Sequence, residues 1–192
     1  PFVKLRARYG RVKFVHLMGF LRSGLIDTAR TFRDNGSLRT FERRKYLSAH
    51  RLEVGVTPRV TVGAQEVVIY GDRGVEFAYA VPASFLFATQ SFLGDKDNTA
   101  LGLDVDANVV RNLKLYGALF LDDLSKFKGP SAFSNKFAVQ AGLLWVDPGG
   151  WRDAEVRLEF VHIEPWVYTH LFNINRYQHH GGLLGHPLGP NS

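Results

Sequence analysis

The residues with the clearest potential for chemistry are four histidines near the C-terminal end of the sequence: His170, His179, His180 and His186. Imidazole is a common zinc ligand, and zinc takes three or four ligands in a defined geometry. Here the spacing is irregular, Gly and Pro surround the histidines, and no carboxylate follows Trp166. We therefore predict no metal but a structured loop whose turns are held by hydrogen bonds. The predicted loop residues are Gly185, His186, Gly189 and Asn191.

Acidic residues offer two further candidates. Asp95, Asp97 and Asn98 could bind calcium, but no glutamate follows at the spacing of a calcium loop. Asp122 and Asp123 could form the carboxylate pair of a glycoside hydrolase, but adjacent strand residues point to opposite faces and cannot flank one bond. The sequence also has no nucleophile elbow, phosphate loop or zinc-protease helix. We predict that the chain is not an enzyme and uses no cofactor.

The basic character of the chain is more informative. Its formal net charge is +6, which favours attraction to a polyanion. Arginine pairs with carboxylates through two parallel hydrogen bonds, and tyrosine rings can stack on sugars. The residues predicted to bind polysaccharide on this basis are Arg51, Tyr70, Tyr116 and Arg157. The alternative is that these charges only pair with carboxylates across neighbouring strands.

The elements that must carry these side chains are β-strands, because apolar residues alternate with polar ones along much of the sequence. The alternating stretches are VKLRARY, RVKFVHLMGF, HRLEVGV, RVTVGAQEVVIY, ALGLDVD, NLKLYGALFLDD, KFAVQAGLLWV and AEVRLEFVHIE. Turn signals such as Gly10 and Thr57-Pro58 separate many of them, which is typical of an antiparallel meander. The alternation slips between Gly63 and Glu66, which predicts a β-bulge.

Two segments lack this alternation. Residues 22–46 are basic and aperiodic, and we interpret them as a long loop or a partly helical insertion. The stretch VPASFLFATQSFLGDKDN predicts one short helix, with Pro82 in its first turn and Gly94 at its end. No linker divides residues 1–192, so we predict a single domain. Because Pro1 and Ser192 both resemble cut ends, we expect an internal fragment of a larger protein.

Alternation alone does not say which face of the sheet contacts water. In a soluble sandwich the apolar face points inward, whereas in an outer-membrane barrel it points to lipid and the polar face lines the lumen. The absence of an 18-residue apolar run excludes a transmembrane helix but leaves both sheet arrangements open.

The chain contains no cysteine, so disulfides and thiolate metal sites are excluded.

Three stretches carry a resemblance to a known family. They are YLSAHRLEVGVTPRVTVGAQEVVIYGDRG, FLGDKDNTALGLDVD and KLYGALFLDDL, and the C-terminal GLLGHPLGPN follows in the same order. Together they resemble the capsule assembly Wzi family and related outer-membrane proteins of gliding motility. The similarity extends from about residue 46 to residue 192, and residues 1–45 carry only a general strand pattern.

This resemblance implies a portion of a transmembrane outer-membrane β-barrel with one short helix. It implies a protein of the outer membrane of a Gram-negative-type bacterium, which binds or organises capsular polysaccharide as a lectin. The expected partners are an acidic surface polysaccharide and outer-membrane lipid, with the chain a monomer and nucleic acid not a partner. One alternative is a passive pore or structural barrel for secretion or gliding. A second is a soluble basic β-domain that binds nucleic acid.

Overall fold

The computed structural model describes residues 1–123 and 136–192, and most of these residues are in β-strands. The elements in chain order are β1 (Phe2–Tyr9), β2 (Val12–Ile26), β3 (Phe32–Asp34), β4 (Ser37–Arg39), β5 (Glu42–Gly55), β6 (Val60–Gly71), α1 (Phe77–Ala80), α2 (Leu86–Phe92), β7 (Asn98–Val110), β8 (Leu113–Asp123), β9 (Lys136–Val146), β10 (Glu155–Ile163), β11 (Gln178–His179) and β12 (Gly182–Leu183). Short 3-10 turns cover Pro148–Gly150 and Asn173–Asn175. The prediction of an all-β chain is confirmed.

The eight longer strands form one antiparallel sheet in the order β1-β2-β5-β6-β7-β8-β9-β10. Each strand therefore pairs with the next long strand of the chain, which confirms the predicted meander. Strands β3 and β4 form a separate hairpin between β2 and β5, and β11 and β12 form a second one after β10. Within the described part of the chain, β1 and β10 each pair with one neighbour and are the edges of the main sheet.

The two ends of the sheet differ in their connections. At one end, which we call the tight-turn end, β1 joins β2 through Gly10-Arg11, and β7 joins β8 through Arg111-Asn112. Gly10 and Asn112 have positive φ, a conformation common in tight turns. At the opposite end, the long-connection end, β2 leads into the β3–β4 hairpin and β6 leads into α1 and α2.

One face of the sheet, the apolar face, consists mainly of aliphatic and aromatic side chains. The strand registers place Val12, Val54, Val62 and Val105 in one row across four neighbouring strands. Many of its large apolar side chains are solvent-exposed: Val3, Leu5, Tyr9, Val12, Leu52, Val62, Leu103, Val105, Leu115, Trp145, Val156, Leu158 and Phe160. Exposed apolar side chains on neighbouring strands are typical of a surface that contacts another molecule.

The chain covers both faces of the sheet near the long-connection end. On the apolar face, α1 and α2 bury a cluster that includes Tyr70, Tyr79 and Leu86. On the other face, residues that follow β10 bury a cluster that includes Ile163 and Val167. The buried core of the described residues therefore lies mostly at this end of the sheet, because here the chain supplies its own second layer.

Three local predictions are wrong. The structure has two short helices rather than one, and Pro82 lies in the turn between them, although Gly94 does end α2 with positive φ. Residues 22–46 continue β2, form the β3–β4 hairpin and begin β5, without helix. The register of β5, β6 and β7 runs without a shift through residues 63–66, so no bulge occurs there.

Among the described residues, no helix has the length and apolar character needed to cross a membrane.

Candidate functional site: the charged face and an arginine groove

The face opposite the apolar face is charged toward the tight-turn end of the sheet. Because side chains alternate along each strand, the polar residues near this end lie mainly on this side, whereas His16, His50 and Glu66 lie on the apolar face farther along the strands. Its ionisable side chains are Lys4, Arg6, Arg8, Lys13, Arg51, Glu53, Asp104, Asp106, Lys114, Tyr116, Glu155, Arg157 and Glu159. We call this surface the charged face, and it contains three of the four residues predicted to bind polysaccharide.

Arg51 is held by a carboxylate of another strand. Its guanidinium donates two hydrogen bonds to Asp104, with Nη1 at 2.5 Å from Oδ2 and Nη2 at 2.8 Å from Oδ1. The pair extends across Gly63 of β6, where an added Cβ would lie 2.6 Å from Arg51 Nη2 and from both Asp104 carboxylate oxygens. A glycine in the middle strand therefore makes room for the pair, and the Arg51 charge is already compensated.

Tyr116 is positioned in a similar way. Its hydroxyl donates a 2.6 Å hydrogen bond to Glu159 Oε2. Its ring extends across Gly142 of β9, where a Cβ would lie 2.4 Å from the ring carbon Cζ. Arg157 is exposed on the edge strand β10, two residues from Glu159. The structure therefore places Tyr116 and Arg157 in the same region of the charged face.

Tyr70 is not on this face. It is fully buried on the apolar side of the sheet, with its ring 5.2 Å from that of Tyr46 and 5.1 Å from that of Tyr79 between centroids. A ring buried in this way has no free face for a sugar, in contrast to the sequence-based expectation. The pattern of β6 alone could not show this, because the covering residue Tyr79 comes from α1.

Further cross-strand pairs compensate other cations of the charged face. Lys13 Nζ lies 2.5 Å from Glu53 Oε1, and Lys114 Nζ lies 2.6 Å from Asp106 Oδ1. Much of the charge on this face is therefore paired, as the alternative interpretation of the basic residues expects. Within the described ranges, the cations of the edge strand β1 have no ion pair; they are Lys4, Arg6 and Arg8.

The acidic candidates of the sequence have structural partners. Asp97 accepts two hydrogen bonds from Arg73 and one from the Tyr79 hydroxyl at 2.7 Å. Asp95 accepts a hydrogen bond from Gln90 Nε2. Buried Asp122 accepts a hydrogen bond from the Tyr168 amide at 2.6 Å, and the side chain of Asp123 lies outside the described residues.

The C-terminal histidine segment packs as a loop against the sheet. The His186 amide donates to the Tyr168 hydroxyl, and the Leu188 amide donates to His186 Nδ1. Gly185 lies directly against Tyr168, where a Cβ would be 2.2 Å from the ring carbon Cζ. Gly189 and Asn191 have positive φ. Among the described residues, no group of three or more His, Asp or Glu side chains could hold a metal ion.

Sequence reasoning did not identify a groove at the long-connection end. It consists of two adjoining cavities of about 470 and 620 Å³, which share Ile26, Arg43 and Arg44 in their walls. We call the first the arginine cavity, because it is lined by Arg30, Arg43, Arg44 and Arg73 together with Asp27 and Asp72. We call the second the aromatic cavity, because Phe20, Phe41 and Tyr46 contribute to its wall. Together they form the arginine groove.

Two of the arginines are fixed by carboxylates. Arg43 Nε donates to Asp72 Oδ1 at 2.7 Å, and Arg43 Nη2 also contacts Asp72 Oδ2. Arg73 donates to both carboxylate oxygens of Asp97, at 2.9 and 2.5 Å. These hydrogen bonds raise the pKa of both guanidinium groups above the ordinary arginine value. Both therefore remain charged at any physiological pH.

The other two arginines are less constrained. Arg30 lies over the Phe41 ring, with its Cζ 5.0 Å from the ring centroid. Arg44 is exposed at the wall that both cavities share. In the part of the chain that the structure describes, neither Arg30 nor Arg44 has an ion pair with a carboxylate. The arrangement thus combines two fixed and two available guanidinium groups.

No protein-family model, curated protein or solved structure matches this chain. The resemblance to the capsule assembly Wzi family therefore stays a prediction.

Proposed function

We propose that the chain is part of an outer-membrane β-barrel of a Gram-negative-type bacterium, and that it binds or organises an acidic surface polysaccharide without catalysing a reaction. One observation carries the membrane part of this proposal. The apolar face remains exposed over several neighbouring strands, while the charged face opposite it is polar and ion-paired. A sheet with lipid on one side and a hydrated lumen on the other has this distribution.

Strand length supports the same proposal. Strands β7, β8, β9 and β10 contain 13, 11, 11 and 9 residues. A tilted transmembrane β-strand needs about 9–11 residues. The short turns at one end and long connections at the other also match the usual asymmetry of outer-membrane barrels.

Surplus positive charge supports an acidic ligand. Lys4, Arg6 and Arg8 lie side by side on the charged face of β1, and all three are exposed. Clustered cations of this kind raise the local concentration of a polyanion, and salt weakens the attraction. We therefore expect retention of an acidic polysaccharide that decreases as the ionic strength rises.

Fractionation of a Gram-negative host that produces the full-length protein tests the membrane part. We expect recovery in the outer membrane and a gel mobility that changes on boiling, as a closed barrel gives. Purified protein should then retain an acidic polysaccharide at low salt. Recovery in the soluble fraction, without a mobility shift, would contradict the proposal.

A passive pore or structural barrel is the second candidate. It is favoured by the cross-strand pairing of Arg51, Lys13 and Lys114, which leaves these charges compensated rather than free for a ligand. Ion conductance in planar bilayers, combined with no retention of acidic polysaccharide, would support this candidate over polysaccharide binding.

A further inference from the structure

We infer that the arginine groove at the long-connection end binds a sugar that carries an oxyanion, either a carboxylate or a phosphate. Part of this inference rests on the proposed function, since an acidic surface polysaccharide would supply such a sugar. The binding site itself follows from the groove and uses none of the four residues that the sequence suggested.

The arginine cavity is positively charged. Four arginines line the arginine cavity, and two of them are already paired, Arg43 with Asp72 and Arg73 with Asp97. Arg30 and Arg44 against Asp27 leave a formal charge of +1. Asp72 is engaged by Arg43, while Arg30 and Arg44 have no ion pair among the described residues. Two available guanidinium groups beside two fixed ones form a site suited to an oxyanion, which planar guanidinium groups bind through paired hydrogen bonds.

The wall of the arginine cavity is preorganised by contacts between β5 and β6. The Asp72 amide donates a 3.0 Å hydrogen bond to the Arg44 carbonyl, and the Asp72 carboxylate holds Arg43. This links the end of β6 to the start of β5 through both backbone and side chain. The cavity wall is therefore fixed before a ligand arrives, which reduces the entropy lost on binding.

The aromatic cavity favours a sugar over a simple ion. Phe20 is 44% exposed and presents apolar surface to the groove, whereas the Phe41 ring is already contacted by Arg30 and stacked with Phe32. The C–H groups on one face of a pyranose ring pack well on such aromatic surfaces. An anionic substituent in the arginine cavity would place the adjoining sugar ring against the aromatic cavity, because the two cavities share a wall.

Isothermal titration of the purified full-length protein in detergent tests the inference. The probes are tetragalacturonate for carboxylates, glucose 1-phosphate for phosphate, and maltotetraose as the neutral control. We expect at least one anionic probe to bind and maltotetraose to bind at least about tenfold more weakly. Which anionic probe binds identifies the oxyanion. Equal binding of maltotetraose, or no binding of either anionic probe, overturns the inference.

Variants locate the site. Arg30→Gln and Arg44→Gln should each weaken binding of the anionic probe about tenfold, the usual effect of losing a charged hydrogen bond. Arg59→Gln is the matched control, because Arg59 is also exposed but lies in a turn at the tight-turn end. The affinity of this variant should stay within about twofold. Unchanged affinity in both groove variants contradicts the assignment. Thermal unfolding of each variant shows whether it is folded. If Arg44→Gln is unfolded, the affinity of Arg30→Gln, whose residue lies in the loop after β2, tests the assignment.

The aromatic cavity has its own variant. Phe20→Leu keeps an apolar side chain but removes the ring, and it should weaken tetragalacturonate binding about threefold. Vesicles that contain phosphatidylglycerol provide the remaining comparison. Binding of the protein to these vesicles that is lost in Arg44→Gln, without binding of either anionic sugar, would assign the groove to a lipid headgroup. It would overturn the inference that the groove binds a sugar.

Failure of this inference can be distinguished from failure of the proposed function. Protein recovered in the outer membrane that retains an acidic polysaccharide at low salt, with an affinity unchanged by Arg30→Gln and Arg44→Gln, overturns the groove assignment alone. Protein recovered in the soluble fraction that binds the sugar through Arg44 overturns the membrane proposal alone.

Discussion

The two ends of the sheet differ in how far their apolar side chains are buried. At the long-connection end, the chain covers its own sheet: Leu86 of α2 and Val167 after β10 are fully buried on opposite faces. At the tight-turn end, Leu103 and Leu158 remain more than half exposed. The comparison teaches that one sheet can bury its apolar residues under segments of its own chain at one end and leave them exposed at the other. Only the second needs an external partner, which we propose is lipid.

The largest expected effect lies at the covered end. Leu86→Ala should lower the free energy of unfolding by about 2–5 kcal/mol, because it leaves a cavity among buried tyrosines. Leu103→Ala is the matched change at the open end and should cost about 1 kcal/mol, since surrounding detergent or lipid fills the space. Thermal or denaturant unfolding in detergent measures both. Equal losses would contradict the contrast between the ends.

A charged substitution tests the open end. Leu158→Arg should cost about 2–4 kcal/mol if the side chain contacts the bilayer centre, and it should reduce recovery in the outer membrane. Leu188→Arg is the control, because Leu188 is exposed to a similar degree, 64% against 61%, but lies in the C-terminal loop. In a water-exposed sheet both changes would be neutral, and normal recovery of Leu158→Arg would therefore contradict a lipid-facing surface.

The charged face should respond to the loss of one partner. Arg51→Met leaves the Asp104 carboxylate uncompensated and should cost about 1–2 kcal/mol. Lys13→Met, which breaks a more exposed pair with Glu53, should cost under about 1 kcal/mol. Adding Asp104→Asn to Arg51→Met should recover part of the loss in a double-mutant cycle. No recovery would mean that Arg51 contributes through packing rather than through this pair.

The smallest expected effect is a pH dependence at the groove. Burial, and then the charge of Arg176, lower the pKa of Lys45 to about 8. Lys45 contributes to the wall of the aromatic cavity and its buried ammonium donates to the Arg176 carbonyl, so a positive charge behind this wall is lost as the pH rises through this value. Affinity for the anionic probe should fall about threefold between pH 7 and pH 9. Lys45→Met should abolish this change, and a change of the same size in that variant would assign it to another group.

Much of the sheet could be predicted from the sequence, because alternation is a local property of each strand. The pattern of VKLRARY places Leu5 and Arg6 on opposite faces, and the register with β2 agrees. Gly10 marks the first hairpin turn because a positive φ is needed there. The strand order followed from short turns between successive strands.

The parts that could not be predicted depend on contacts between distant segments. Tyr70 looks like an ordinary strand residue, and only the arrival of Tyr79 from α1 buries it. The arginine groove combines residues after β2, at the start of β5 and after β6, so no single stretch contains its pattern. The sequence FERRK was the available signal, since adjacent arginines in an aperiodic segment predict a basic surface even where the strands are not recognised.

The most direct test of the central claim is a comparison of two adjacent positions on β10. Residues 1–192 contain no cysteine, so Arg157→Cys and Leu158→Cys each introduce one site for a nitroxide label within them. The labelled protein is the full-length protein in lipid bilayers, with any cysteine outside residues 1–192 replaced by serine. Oxygen concentrates in the acyl region, whereas a charged nickel chelate stays in water. We predict that the label at residue 158 is relaxed by oxygen and protected from nickel, with the opposite result at residue 157. Efficient relaxation by nickel at both positions would contradict a lipid-facing apolar surface.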